Sequence, residues 1–300
     1  CAASRAALAS GKEYDRCRVQ GNGADYPIEQ TTVYTLLRDS GYHVMGCGKF
    51  DLHKASRGWG LDGKHLLPEW GFSDGVDSAG KRDATSSGAI TPMDPYMAYL
   101  EARGLRLAHV EDYRQRKGNA TFPTPLPDDA YGDNWIGRNG LQLLAQAPAG
   151  KPWFLQVNFV GPHEPWDITK SMEESARQLQ DFPPANGTGG LTLERHLAVR
   201  QNYSAMVENI DRWVGLYVDT LRQRGELENP LIVYSRDHGE MLGDQGLWGK
   251  TVPFQPSAGV PLIVAGPSVR HGVNTAPTAT LDLTATFLET AEVKRPADMD

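Results

Sequence analysis

Cys1-Ala2-Ala3-Ser4-Arg5-Ala6-Ala7-Leu8-Ala9-Ser10-Gly11 opens the chain. The Ala-rich run predicts a helix that a glycine can end, and the spacing of Cys1 and Arg5 puts both on one helix face. A helix N-terminus presents unpaired N–H groups and the positive end of its dipole, so an anion held beside Cys1 would meet these and a guanidinium together. The segment reads as a seat for an oxyanion. A small buried cysteine starting an ordinary helix is the plainer alternative, and other segments must decide.

The 300 residues are 40% hydrophobic and 22% charged, with a formal net charge of −7. That composition suits one large α/β domain with a sizeable core. The negative balance argues against a general nucleic-acid or anionic-membrane surface, so an anionic substrate must be gripped by a few local cations. No apolar run approaches the ~20 residues of a membrane-spanning helix. Cys1, Cys17 and Cys47 are too few and too unevenly placed for a disulfide framework or a Cys-x-x-Cys zinc site, and Cys17 and Cys47 read as packed thiols.

Helical and strand signals alternate along the chain. Residues 28–40 predict a helix entered through Pro27 and ended at Gly41, followed by a strand at 43–47 that delivers Lys49 at its carboxyl end. The stretch from about 54 to 128 is rich in Gly, Pro, Ser and charge, and reads as loops with a short helix near 95–103. Residues 129–147 predict a helix weakened by Gly137 and Gly140. A buried strand at 153–160 ends at Gly161-Pro162-His163, and further strands are expected at 230–234 and 261–265. Tyr203, Met206, Ile210, Trp213, Tyr217 and Leu221 recur at helical spacing in a long amphipathic helix stopped by Gly225.

Lys49, His163 and Asp237 thus follow candidate strands, the sheet edge where ligands bind in open α/β folds. Asp237 and His238 are adjacent after a strand, so a turn can aim both at one divalent cation. Alone, such a pair is equally turn polarity, and lone Lys or His residues there are equally surface groups. The sequons at Asn119, Asn186 and Asn202 are too common a pattern to place the protein.

The opening segment resembles the sulfatase signature Cys-x-Pro/Ala-Ser-Arg, followed by a Leu and a small residue plus Gly, in which the cysteine is oxidised to formylglycine; Ala3 stands where Pro is commoner. Gly41-Tyr42-His43-Val44-Met45-Gly46-Cys47-Gly48-Lys49 resembles that family's second signature, Gly-Tyr-x-x-x-x-x-Gly-Lys. Ser235-Arg236-Asp237-His238-Gly239-Glu240 through Gly249-Lys250 is similar to its metal and lysine segment, usually Ser-Asp-His-Gly-Glu through Gly-Lys. The resemblance implies an alkaline-phosphatase-like α/β fold, a mixed sheet sandwiched between helices. It implies one catalytic domain over 1–300, incomplete at both ends, with a variable substrate region about 54–128. Sulfatases carry a strand before the cysteine whose paired Asp residues supply about half the metal ligands, and a smaller C-terminal subdomain; neither is expected here.

The same resemblance implies a sulfuric ester hydrolase acting through a formylglycine derived from Cys1 by a formylglycine-generating enzyme. Arg5, Lys49, His163 and Lys250 would be catalytic, and Lys49, His163 and Lys250 would also contact the sulfate. A divalent metal would be held by Asp237, His238 and residue 1, calcium first, with manganese or magnesium open. Many sulfatases carry Lys-Trp-His-Leu where this chain has Lys49-Phe50-Asp51-Leu52-His53, so Asp51 or His53 is expected to replace the usual basic group. Gln245, Gln255 and Gly259 also depart from the commoner residues. Trp166 and Asp167, with Arg57, Trp59, Trp70 and Lys81, are candidates for a wall that stacks sugar rings, making a sulfated carbohydrate or other sulfated small molecule the expected substrate. The resemblance also implies a periplasmic or secreted setting. Two alternatives remain: a phosphonate monoester or phosphodiester hydrolase sharing the formylglycine segment, and a non-catalytic sulfated-sugar binding protein in which Cys1 stays a thiol.

Overall fold

The structure, a computed structural model, describes residues 1–300 apart from Asp181, Phe182, Ala185, Thr188 and Ser268. Thr188, which completes the Asn186 sequon, therefore lies outside the described residues. The helices are α1 (Ala2–Ser10), α2 (Val33–Asp39), α3 (Arg82–Ser87), α4 (Pro95–Ala102), α5 (Arg106–Gln115), α6 (Gly132–Ala145), α7 (Lys170–Ala176), α8 (Leu193–Gln223), α9 (Gln255–Ala258) and α10 (Asp282–Thr290). The strands are β1 (His43–Gly48), β2 (Asp74–Asp77), β3 (Trp153–Asn158), β4 (Ile232–Ser235) and β5 (Leu262–Ala265).

β1 is the centre of a parallel sheet in the order β2-β1-β3, with Cys47 opposite Val76 on one side and Val157 on the other. β4 and β5 form a separate antiparallel pair. Side chains alternate across β1. Val44 faces a core built with Ala2, Ala6 and Ala9 of α1, Val33, Tyr34 and Leu37 of α2, and Leu288 of α10. Met45 and Cys47 face the opposite core, with Met97 and Leu100 of α4 and Trp135, Ile136 and Leu143 of α6. Helices thus cover both faces of the parallel sheet, as burial of its apolar sides requires.

Local caps set two helix starts. α2 begins at Val33, because the Thr32 side chain accepts the Thr35 N–H and caps the helix there, and Pro27 stays outside it. α8 starts at Leu193 under a similar cap from Thr192, which makes it 31 residues long. The stretch 54–128 is more ordered than loops with one short helix, since it contains β2, α3, α4 and α5. β2 reads Asp-Gly-Val-Asp and has no strand signature of its own; pairing with β1 creates it. Trp59 and Trp70 of the same stretch are 1% exposed and pack inside, so they are core residues and not a sugar-stacking wall.

Gly137 and Gly140 acquire a reason. A Cβ at Gly137 would sit 2.2 Å from the Trp213 ring, and one at Gly140 2.3 Å from the Tyr217 hydroxyl, so these glycines let α6 and α8 approach closely. In Gly137→Ala, gained helix propensity of about 1 kcal/mol opposes an overpacking cost of about 1–3 kcal/mol. At 2.2 Å the clash is with a rigid ring, so overpacking is expected to win. The variant should unfold at lower denaturant; an unchanged or higher midpoint would contradict this packing.

Candidate active site

Cys1 is the N-cap residue of α1, and Gly11 ends that helix in the left-handed conformation at φ 66°. Arg5, one turn further on, donates from Nε to Asp237 Oδ2 at 2.9 Å and from Nη1 to the Lys49 carbonyl. One guanidinium therefore joins α1 to the loops after β1 and β4. Lys49 leaves β1 through Gly48, which adopts φ 95° where a Cβ would lie 2.1 Å from the Asn158 carbonyl oxygen. His163 follows β3, and Asp237 and His238 follow β4 directly.

These loops converge on residue 1. Cys1 Sγ lies 3.2 Å from His238 Nε2, and Lys250 Nζ lies 3.4 Å from Cys1 Sγ and 2.8 Å from His163 Nε2. A cavity of about 260 Å³ opens over the cluster, lined by Cys1, Lys49, His163 and Lys250. Val160 and the polar residues Asn22, Lys54, Lys81, Arg82 and Asp83 complete its wall. Of the polar residues, only Lys81 carried any expectation from sequence; the others are ordinary side chains that tertiary packing brings to the rim.

Burial sets the electrostatics. It lowers the Lys49 ammonium to about 8, against the pull of Asp51 in the other direction. It lowers His163 to about 3, with Lys250 adding to the effect, so this imidazole is neutral near pH 7. His238 and Lys250 are lowered chiefly by burial as well. Burial works to raise Asp237, but the Arg5 guanidinium, helped by His238, outweighs it and holds the carboxyl far below its ordinary range. The site thus presents cationic ammonium groups and neutral imidazoles around one side chain.

Several expected residues sit elsewhere. His53 is 2% exposed, its Nε2 bonded to Asp77 Oδ2 at 2.7 Å and its ring between Trp59 and Trp70, so it does not reach the cavity. Asp51 is 1% exposed and sits 3.3 Å from Lys49 Nζ and 3.4 Å from Lys54 Nζ. It holds those lysines instead of lining the wall. Trp166 and Asp167 are also buried, the indole donating to Asn119 and the carboxylate gripping Lys81 Nζ at 2.6 Å. Asp167 therefore acts on the cavity only through Lys81. Asn202 is fully buried and donates to the Thr121 and Trp166 carbonyls, which leaves its sequon inaccessible.

A formylglycine fits at residue 1, because the hydroxyls of its hydrate would find Lys250 Nζ and His238 Nε2 where Sγ now finds them. The described residues supply only part of a calcium shell. Calcium takes six to eight oxygens, whereas beside residue 1 the described residues turn inward the Arg5-bound Asp237 carboxylate and two imidazole nitrogens. Manganese and magnesium share that preference for oxygen.

Residues 1–293 match the family model for sulfatases. The chain belongs to the sulfatase family. It is 26% identical to a choline-sulfatase of Rhizobium meliloti, over 98% of this chain and 58% of that protein. It is 25% identical to an N-acetylglucosamine-6-O-sulfatase of Bacteroides thetaiotaomicron, over 99% of this chain and 60% of that one. It spans a little over half the length of these relatives. The fold superposes on a phosphonate monoester hydrolase of Silicibacter pomeroyi with a TM-score of 0.77, at 23% identity, covering 100% of this chain and 65% of the other. The alkaline-phosphatase-like architecture is thereby established, and among the described residues no helix is long and apolar enough to cross a membrane.

Removing the Arg5 clamp tests how the site is held. Arg5→Met leaves the half-buried Asp237 carboxylate without its guanidinium and should cost about 1–3 kcal/mol of unfolding free energy, measured by denaturant titration. A loss below about 1 kcal/mol would place the stabilisation elsewhere.

Proposed function

We propose that this chain carries the catalytic centre of a sulfuric ester hydrolase in which residue 1 works as a formylglycine. The observation that carries this is the ring of Lys250, His163 and His238 around the Cys1 side chain, within a cavity that Lys49 also lines. The hydrated aldehyde supplies one hydroxyl to attack sulfur and a second that permits release, a sequence an unmodified thiol cannot complete.

The residues of the chain do the rest. Lys49 and Lys250 hold the sulfonyl oxygens, and their charges oppose the negative charge of the transferring group in a water-poor pocket. Lys250 donates to the neutral His163 Nε2, so the pair holds a proton that can pass to the departing alcohol oxygen. His238 Nε2, 3.2 Å from the residue 1 side-chain atom, is placed to accept a proton from a hydroxyl there. Arg5 orients residue 1 by fixing α1 against the Lys49 carbonyl and Asp237. Asp51 holds Lys49 in place.

A sulfated carbohydrate is the proposed substrate class. The polar rim of Asn22, Lys54, Arg82 and Asp83 suits hydroxyls and further anionic groups, and a relative named for N-acetylglucosamine-6-O-sulfate supports it. A periplasmic or secreted setting belongs to the same proposal.

Peptide mass at residue 1 of the converted protein should fall by about 18 Da, and the converted protein should turn over sulfate esters faster than matched phosphonate monoesters. A thiol mass with no turnover would favour the binding-protein alternative, and the reverse preference would favour the phosphonate hydrolase. Because burial places the Lys49 ammonium at about 8, its charge is lost as pH rises past that value. The specificity constant kcat/KM for a sulfate ester should fall roughly tenfold between pH 7 and 9. A flat profile over that interval would remove Lys49 from sulfate binding.

A further inference from the structure

Cys1 Sγ, a His163 ring nitrogen and a His238 ring nitrogen lie within 4.8 Å of one another. His163 Nδ1 bonds the Glu164 carbonyl at 2.8 Å and His238 Nδ1 bonds the Gly239 carbonyl at 2.8 Å. A carbonyl only accepts, so in both rings the proton is on Nδ1 and the lone pair is on Nε2. Those lone pairs face the cluster: His238 Nε2 toward Cys1 Sγ, His163 Nε2 toward Lys250 Nζ. Orientation of imidazole by a backbone carbonyl is the outer-sphere arrangement that metal-binding histidines use.

The position between these atoms already holds a cation. Lys250 Nζ sits 3.4 Å from the sulfur and 2.8 Å from His163 Nε2. We propose that, while residue 1 is still cysteine, the chain binds a zinc-class divalent ion through the Cys1 thiolate, His163 Nε2 and His238 Nε2, displacing Lys250. Sulfur and two imidazoles form a borderline-soft donor set that suits zinc and leaves a fourth, tetrahedral position for water from the cavity. Zinc–sulfur and zinc–nitrogen bonds place such donors about 3.5 Å apart, so the cluster need close by only about an ångström. The thiol releases one proton to solvent per ion bound, and no other bond changes.

The ion would occupy the seat proposed for sulfate and tie up the thiol that conversion must reach. Oxidation of residue 1 to the aldehyde removes the sulfur ligand and with it the site. The binding is a property of the unconverted chain and does not depend on sulfate hydrolysis.

Unconverted protein titrated with Zn²⁺ in a calorimeter should bind one ion, and Co²⁺ in its place should show a thiolate-to-metal charge-transfer band. Cys1→Ser keeps the side-chain size and should abolish the band, weakening Zn²⁺ binding by more than the roughly 10- to 100-fold that losing an outer-sphere partner costs. Lys250→Met, which removes the competing ammonium, should bind Zn²⁺ several-fold more tightly. Full-strength Zn²⁺ binding by Cys1→Ser, or a cobalt complex lacking the thiolate band in the parent chain, would overturn the proposal.

Discussion

The Arg5 guanidinium is the tie on which the site depends. It is half-buried beside Asp237 and the Lys49 carbonyl, so three segments far apart in sequence share one charge. An ion pair of this kind gives little net stability, because desolvation offsets the attraction. Its contribution is positional: a displaced α1 would strand both a carboxylate and a guanidinium without partners. Residue 1 inherits that fixed position because it caps the same helix.

Around this tie the fold assembles more cations than acids, with Asp83 the acidic residue of the cavity wall. Lys49 and Lys250 line the cavity with Lys54, Lys81 and Arg82, in a chain whose overall charge is negative. The acids nearest them are committed to holding them: Asp51 to Lys49 and Lys54, Asp167 to Lys81, Asp237 to Arg5. Each carboxylate aims a basic group and cancels part of its desolvation cost. Lys250, by contrast, donates to the neutral His163 Nε2.

Legibility from sequence followed the range of the interactions involved. β1, β3, α6 and the later part of α8 show apolar periodicity; Lys49 and His163 were readable at the carboxyl ends of neighbouring strands of one sheet, and Asp237 and His238 just after β4, which pairs separately with β5. Within 54–128 the short helix expected near 95–103 is α4, whereas β2 and α3 were not readable, since β2 is four residues defined by a neighbour and α3 is a six-residue helix of weak formers. His53, Trp166 and Asp167 had suitable chemistry for a site and suitable nearby motifs. Their burial against Asp77, Asn119 and Lys81 depends on partners distant in sequence.

By itself, the sequence determined the α/β class, the helix that begins at Cys1, and the family whose motifs surround Lys49, Asp237 and Lys250, because these rest on local periodicity, caps and short spacings. Only the tertiary structure decided which polar side chains face the cavity and which are consumed as supports. Burial and the choice of hydrogen-bond partner are set by segments hundreds of residues apart, as when Arg5 closes on Asp237, and no window of neighbouring residues contains both sides of such a contact.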